Sequence, residues 1–202
     1  MRILLPALLL LATPVAARPW AAAPGDFENA VAQVKRLDAE LLSRDSATAT
    51  LQLWCDTYGP GGGARIVARR PAVDPKPAGE AERRDLGVGP DEPVAYRRVD
   101  LACGDKVLSR ADNWYLPGRL TPEMNTALNT TQTPFGVVVR PLGFRRRTLS
   151  SALLIQSNPA SGAKPAIPPE VLQHRAVLST PDGAPFSLVV ETYSDQVLVA
   201  RP

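Results

Sequence analysis

The sequence predicts a single α+β domain built on an antiparallel sheet of about six strands with flanking helices. Apolar segments suited to strands follow one another across most of the chain. Turn signals of the hairpin type separate several of them, such as Gly104-Asp105 and Pro181-Asp182-Gly183. Helical periodicity is concentrated in one long segment at the start and a short one in the middle. Because hairpins join antiparallel neighbours, these features together favour a sheet layered with helices.

Composition limits the classes of function. The chain has 202 residues and 45% hydrophobic residues, enough for one domain with a substantial core. Its formal net charge is only +3 and no long basic run occurs, so nucleic acid is not an expected partner. A single histidine, His174, and no cluster of metal-ligating residues predict that no metal is bound. His174 itself is expected to be a hydrogen-bonded or surface residue.

The N-terminus has the pattern of a secretory signal peptide. A positive start, Met1-Arg2, precedes the short apolar run 3–11 and the small residues Val15-Ala16-Ala17. We therefore expect cleavage after Ala17, a domain over 18–202 and a periplasmic or secreted protein. An uncleaved anchor helix is the alternative. No other apolar run reaches about 18 residues, so no stable membrane span is expected after cleavage.

Two cysteines, Cys55 and Cys103, remain in the mature segment. In an exported protein an even pair is a candidate disulfide. Two buried thiols on neighbouring strands are the alternative interpretation.

The first half of the chain begins with a helix. Asp26 is a candidate cap, and the apolar residues that follow recur at helical spacing to about Leu42. Residues 48–57 alternate in the manner of a strand, and residues 64–68 are expected to form the next strand. Residues 69–93 are rich in proline and charge and predict a surface excursion within the domain, with one short helix at 80–86.

The second half is expected to consist mainly of strands. The ranges are 94–102, 106–116, 137–140, a part of 144–155, 171–180 and 186–193, with one further edge strand after them. Thr121 is a candidate N-cap for a short helix that starts at Pro122. Thr133-Pro134-Phe135-Gly136 predicts a rigid turn before the strand at 137–140.

Glu191 and Arg97 are the candidate functional residues. Glu191 lies in a strand that is apolar on both faces, where a carboxylate is costly unless it is paired or hydrogen-bonded. Strand alternation places Arg97 on the same face as Val99 and Leu101, so its guanidinium needs a carboxylate. A salt bridge between Arg97 and Glu191 and an anionic ligand between them both satisfy these residues. The run Arg145-Arg146-Arg147 is expected to form a solvated face, with at most one arginine at an anion site.

These residues also carry a family resemblance. Arg97-x-Val99 with the hairpin after it, Thr133-Pro134-Phe135-Gly136, and Val190-Glu191-Thr192 occur in this order between residues 94 and 193. In order and rough spacing they resemble the chorismate–pyruvate lyase family. The same fold resembles the ligand-binding (UTRA) domain of GntR-type transcription regulators.

The resemblance implies a chorismate lyase-like fold with a buried pocket for a small carboxylate ligand. For the lyases it implies conversion of chorismate to 4-hydroxybenzoate and pyruvate without metal or cofactor. Arg97 matches the arginine that holds a ligand carboxylate, and Glu191 matches the glutamate proposed to act on the leaving hydroxyl or enol. Phe135 and Gly136 match the turn whose backbone faces the ligand, with Phe135 in place of the family's leucine.

Two classes of function follow from these residues. One is a cofactor-free lyase that uses Arg97 and Glu191 as catalytic residues. The other is a non-catalytic periplasmic ligand-binding or structural module of the same fold. Arg97 and Glu191 facing one cavity favours the ligand-using interpretations.

Overall fold

The computed structural model describes residues 27–155 and 166–199 of the chain. The predicted signal peptide, residues 1–17, lies outside the described residues. The helices are α1 (Phe27–Leu42), α2 (Ala47–Tyr58), α3 (Glu80–Leu86), α4 (Pro122–Thr130) and α5 (Phe135–Val138). The strands are β1 (Ile66–Arg69), β2 (Ala95–Cys103), β3 (Lys106–Tyr115), β4 (Arg145–Leu153), β5 (Glu170–Ser179) and β6 (Pro185–Ser194). None of the described helices is long and apolar enough to cross a lipid bilayer.

The strands form one six-stranded sheet in the order β1-β2-β3-β6-β5-β4, and every neighbouring pair is antiparallel. This confirms the predicted α+β class. The register places Arg97 opposite Asn113, Asn113 opposite Val189, and Val189 opposite Ala176. Since opposed residues in a ladder project from the same face, these side chains form a row across the sheet.

Helices α1 and α2 cover this face of the sheet and form the main core with it. Fully buried residues of α1, such as Val34 and Leu37, join a cluster with Leu51 of α2 and with Leu108 and Tyr193 of the sheet. The stripe on α1 matches the helical periodicity predicted for 26–42. The predicted short helix at Pro122 is also confirmed as α4, with the Thr121 hydroxyl accepting the Met124 N–H at 3.2 Å.

The segment 69–93 covers part of the opposite face of the sheet. Leu86 of α3 is fully buried in a cluster with Trp114 and Leu188. The Trp114 indole donates to the Lys76 carbonyl at 2.9 Å, and the Lys76 ammonium lies 5.1 Å from the centre of the Trp114 ring. The predicted short helix at 80–86 is present, and it docks the segment against the sheet.

Residues 48–57 were predicted as a strand, and this was wrong because they lie within helix α2. The residues that α2 buries are Ala47, Thr50, Leu51, Trp54 and Cys55, a helical stripe that the apparent alternation concealed. The hydroxyl of Ser46 accepts the Ala49 N–H at 3.2 Å and caps the helix.

The strand predicted at 137–140 was also wrong. Pro134 starts the short helix α5, and its carbonyl accepts the N–H groups of Val137 and Val138. A 3₁₀ turn at Arg140–Leu142 follows before Gly143 adopts a left-handed conformation. A run of valines favours a strand by propensity, but the proline at its start sets a helical turn instead. The edge strand expected after β6 is a 3₁₀ turn, Asp195–Val197.

Cys55 and Cys103 form a disulfide with Cα atoms 5.8 Å apart, which confirms the predicted pairing. The bond joins α2 to the end of β2. Gly59 lies against it, because a Cβ atom there would lie 2.2 Å from the Cys55 carbonyl oxygen and 2.8 Å from Cys103 Sγ. The disulfide therefore requires a glycine at the end of α2.

We expect the double substitution Cys55→Ala, Cys103→Ala to lower the free energy of unfolding. The cysteines are 48 residues apart, and closing a loop of this length stabilises a fold by about 4 kcal/mol in the chain-entropy model. Urea unfolding followed by circular dichroism measures the change. Reduced wild-type protein should match the variant, and equal urea midpoints for the oxidised protein and the variant would contradict the prediction.

Candidate functional site

Arg97 lies on β2 with its side chain on the face that α1 and α2 cover, and it is 5% exposed. One guanidinium nitrogen, Nη2, donates to the Thr133 carbonyl at 3.2 Å. The Nε atom is buried and has no hydrogen-bond acceptor among the described residues. Within residues 27–155 and 166–199, no carboxylate forms an ion pair with Arg97.

The pKa of Arg97 is lowered to about 10, chiefly by burial and to a lesser extent by the nearby positive charge of Arg70, while Tyr115 acts in the opposite direction. This pKa is still well above neutrality, so Arg97 is a cation at pH 7. The fold thus holds a buried positive charge without a carboxylate partner, which is unfavourable in a protein interior.

Glu191 lies on β6, two strands from Arg97, and its carboxylate is paired with Arg146 rather than Arg97. The Arg146 Nη2 donates to Glu191 Oε2 at 2.6 Å, and the Tyr193 hydroxyl donates to the same oxygen at 3.2 Å. The side chains of Arg146 and Glu191 are only 3% and 7% exposed. Of the two alternatives that the sequence left open, the direct salt bridge between Arg97 and Glu191 is therefore absent, because Arg146 takes that position.

The pKa shifts around Glu191 reflect its charge. Burial lowers the pKa of Arg146, but the charge of Glu191, with smaller effects of Tyr193 and the Glu191 hydrogen bond, makes the net shift upward. Burial and then the Glu191 charge raise the pKa of Tyr193 well above its ordinary value. Arg146 and Tyr193 thus hold Glu191 in a buried, hydrogen-bonded cluster.

Arg146 is the main site residue that the sequence analysis did not assign. The run Arg145-Arg146-Arg147 forms the start of β4, where neighbouring side chains project to opposite faces. Arg145 and Arg147 are exposed as expected, whereas Arg146 projects inward. Strand alternation within the run is the signal that singles out the middle arginine, once the inward face of β4 is known.

Arg97, Arg146 and Glu191 line one small cavity of about 40 Å³ together with Phe135 and Gly136. The other lining residues are Asp45, Thr48, Val99, Leu101, Ala111, Asn113, Leu178 and Val189. About 10–15 Å³ of such volume holds one water, so the cavity takes about three atoms of ligand size. The structure therefore brings all four predicted pocket residues, Arg97, Phe135, Gly136 and Glu191, to one place.

Helices α2 and α5 close the cavity above the sheet. Gly136 in α5 lies against the start of α2, because a Cβ atom there would lie 3.3 Å from Thr48 Oγ1 and 3.4 Å from Ser46 Oγ. Asp45, just before α2, accepts the backbone N–H of Arg146 at 2.9 Å. The wall that α2 forms is thus fixed both to α5 and to β4.

A second polar group stands beside Arg97 in the row across the sheet. Asn113 is 4% exposed, and its Oδ1 accepts a hydrogen bond from the Ser187 hydroxyl at 2.9 Å. This hydrogen bond uses only the oxygen of the Asn113 side chain. The side-chain nitrogen carries two N–H donors that can bind a ligand in the cavity.

His174 lies next to the site but does not line the cavity. It is fully buried opposite Glu191, with Nε2 2.7 Å from Asp38 Oδ1, and Ser151 donates to the same oxygen at 2.7 Å. The expectation of a hydrogen-bonded histidine is confirmed. Among the described residues, no group of three or more His, Cys, Asp or Glu side chains is placed to hold a metal ion.

No known protein-family profile matches the sequence. The uncharacterized protein y4mC of Sinorhizobium fredii is 46% identical over 192 residues, which covers 89% of this chain and 81% of that protein. The chain belongs to the y4mC family.

Solved structures show which fold this y4mC-family chain has. The effector domain of PhnF from Mycobacterium smegmatis matches with a TM-score of 0.52 at 17% identity, covering 78% of this chain and 93% of that domain. The regulator YydK from Bacillus subtilis matches with a TM-score of 0.44 at 14% identity, over 68% of this chain, and the chain spans only 60% of YydK. The sheet and its flanking helices have the UTRA, chorismate lyase-like fold that the sequence motifs predicted.

Replacing each buried arginine by methionine should have a different effect on the free energy of unfolding. Arg146→Met leaves Glu191 buried without its cation and should lower the free energy of unfolding by about 3–5 kcal/mol. Arg97→Met removes a buried charge that has no carboxylate partner, so the free energy of unfolding should stay the same or rise. Urea unfolding of both variants measures the difference. Equal destabilisation would show that Arg97 stabilises the fold as Arg146 does.

Proposed function

We propose that this chain binds a small cyclic or aromatic carboxylic acid and that Arg97 holds the carboxylate in the buried cavity. The observation that carries the proposal is the buried guanidinium of Arg97, which has an unpartnered Nε and no carboxylate partner among the described residues. A ligand anion supplies the missing partner. A guanidinium suits this role because its planar donors match the two oxygens of a carboxylate.

The charges around the cavity also favour an anion. Two arginines, Arg97 and Arg146, and two carboxylates, Glu191 and Asp45, line it. Glu191 pairs with Arg146 and Asp45 pairs with the exposed Arg145, so neither carboxylate is the partner of Arg97. Arg146 Nε is buried without an acceptor, as is the Nε of Arg97. Asn113 adds a neutral donor. An acceptor-only group such as a carboxylate satisfies this set of donors better than a neutral or cationic group does.

Apolar side chains surround the polar groups of the cavity. Val99, Leu101, Leu178 and Val189 line it with Phe135, whose ring is tilted by 56° against that of Tyr115 with ring centres 5.5 Å apart. Ligand sites commonly combine apolar walls with a few placed polar groups. The fold is shared with the effector domain of PhnF, and this supports a function in small-molecule binding.

A lyase that acts on chorismate is the second candidate. The observation in its favour is that Arg97 and Glu191 line the same cavity, as the resemblance to the lyases implies. Against it, Glu191 is already held by Arg146 and Tyr193, so proton donation to a substrate requires breaking a buried ion pair. Binding without turnover is therefore the function that the geometry supports best.

Titration calorimetry with benzoate, 4-hydroxybenzoate and cyclohexanecarboxylate tests the proposal. The wild-type protein should bind at least one of these acids, and Arg97→Met should weaken binding by about 10-fold to 100-fold, as expected for a charge-assisted hydrogen bond. Arg98→Met is the matched control, because Arg98 is the next residue on β2 but projects from the other face and pairs with Asp112.

Arg98→Met should bind as the wild type does. Equal affinities of wild type and Arg97→Met for every acid would contradict the proposal. The same proteins mixed with chorismate decide the second candidate, since stoichiometric release of 4-hydroxybenzoate and pyruvate that depends on Arg97 would make the chain a lyase.

We also propose that the chain is exported. The signal-peptide pattern of residues 1–17 is the basis, and the Cys55–Cys103 disulfide supports it because disulfides persist in oxidising compartments. Expression in a Gram-negative host, followed by fractionation and mass measurement, should recover a periplasmic protein that begins at residue 18. A full-length chain with free thiols in the cytoplasm would contradict this prediction.

A further inference from the structure

A second, larger depression opens next to the buried cavity, and we call it the outer cleft. Its volume is about 780 Å³. It is lined by Arg44, Ser46, Thr48, Ala49, Gln52, Leu53, Arg65, Ile66, Val67, Gln132, Thr133, Pro134, Gly136, Val137 and Arg140. The residues come from the start of α2, from β1 and from the segment around α5.

The outer cleft adjoins the buried cavity directly. Thr48 and Gly136 line both. Thr133, which lines the outer cleft, accepts the hydrogen bond from Arg97 Nη2. Thr48 and Gly136 thus form the boundary between the two spaces. Because the cavity itself takes only about three atoms, a larger ligand whose carboxylate reaches Arg97 has to cross this boundary and place its remaining atoms in the outer cleft.

Every charged side chain that lines the outer cleft is an arginine. Arg44, Arg65 and Arg140 are all exposed, and none of them is in an ion pair with a carboxylate of residues 27–155 or 166–199. Leu53 and Val137, both 44% exposed, line the same cleft. The cleft thus combines exposed apolar side chains with three cations.

We propose that the ligand is an elongated diacid that spans both spaces. This inference rests on the proposed function, because the first carboxylate is the one that Arg97 holds. The apolar body lies along Leu53 and Val137, and the second acid group lies among Arg44, Arg65 and Arg140. A monoacid of the same body would fill the same volume but would leave these three cations without a counter-charge.

Matched acids with one and two carboxylates test the inference. The pairs are benzoate with terephthalate, octanoate with suberate, and decanoate with sebacate, which together sample several lengths. Titration calorimetry at low ionic strength should show at least one diacid binding about 5-fold or more tightly than its monoacid, the scale expected for a few partly exposed ion pairs. The advantage should shrink at high ionic strength, because salt screens exposed charges.

Two triple variants with the same change in net charge separate the cleft from the rest of the surface. Arg44→Gln, Arg65→Gln, Arg140→Gln should remove the diacid advantage, because it should lower the affinity for diacids more than the affinity for monoacids. Lys35→Gln, Arg84→Gln, Arg147→Gln changes three exposed cations that line neither space, and it should keep the advantage.

The outcomes distinguish the two proposals. Equal affinities for diacids and monoacids at every length, with both lost in Arg97→Met, would overturn the diacid inference and leave the carboxylate-binding function in place. Diacid binding that is unchanged in Arg97→Met would overturn the arrangement in which one ligand spans both spaces. Failure of every acid to bind the wild-type protein would overturn the proposed function and the inference with it.

Discussion

The buried ion pair between Arg146 and Glu191 determines how the rest of the site is arranged. It joins the edge strand β4 to the central strand β6, and the backbone of the same arginine holds Asp45 in front of α2. Because Glu191 is already neutralised, Arg97 has no carboxylate left to pair with. An arrangement of two buried arginines and one buried glutamate leaves one positive charge, and that excess is the physical basis for an anion site.

Most of the fold could be predicted from sequence because its determinants are local. Hairpin turns such as Pro181-Asp182-Gly183, the cap at Thr121 and the periodicity of α1 each specify one element from residues close together in the chain. Three elements were predicted wrongly, and two of them, α2 and α5, occur where local propensity conflicts with tertiary packing; the third is the 3₁₀ turn Asp195–Val197 in place of an edge strand. The buried residues of α2 can be recognised as a helical stripe only when the sheet that they pack against is known. The valines of α5 favour a strand by themselves.

Four residues of the site were predictable, but Arg146 and its pairing with Glu191 were not. The residues Arg97, Phe135, Gly136 and Glu191 meet at one cavity, as the motifs predicted. The partner of Glu191 depends on β4 lying beyond β5 at the edge of the sheet, and β4 is about 45 residues away in sequence. Three adjacent arginines give no indication of which one turns inward until the strand order is known.

The position of β4 has a further consequence for how the molecule avoids association. A terminal strand exposes unpaired backbone groups that another copy can join, so natural sheets commonly protect it with charge or keep it short. Here β1, at one end of the sheet, has only four residues, and β4, at the other end, begins with Arg145-Arg146-Arg147. Two copies joined in parallel at β4 would bring these arginines together, whereas antiparallel pairing would set them against the other end of the strand. The run that supplies the partner of Glu191 thus opposes one of the two ways in which a second chain could extend the sheet.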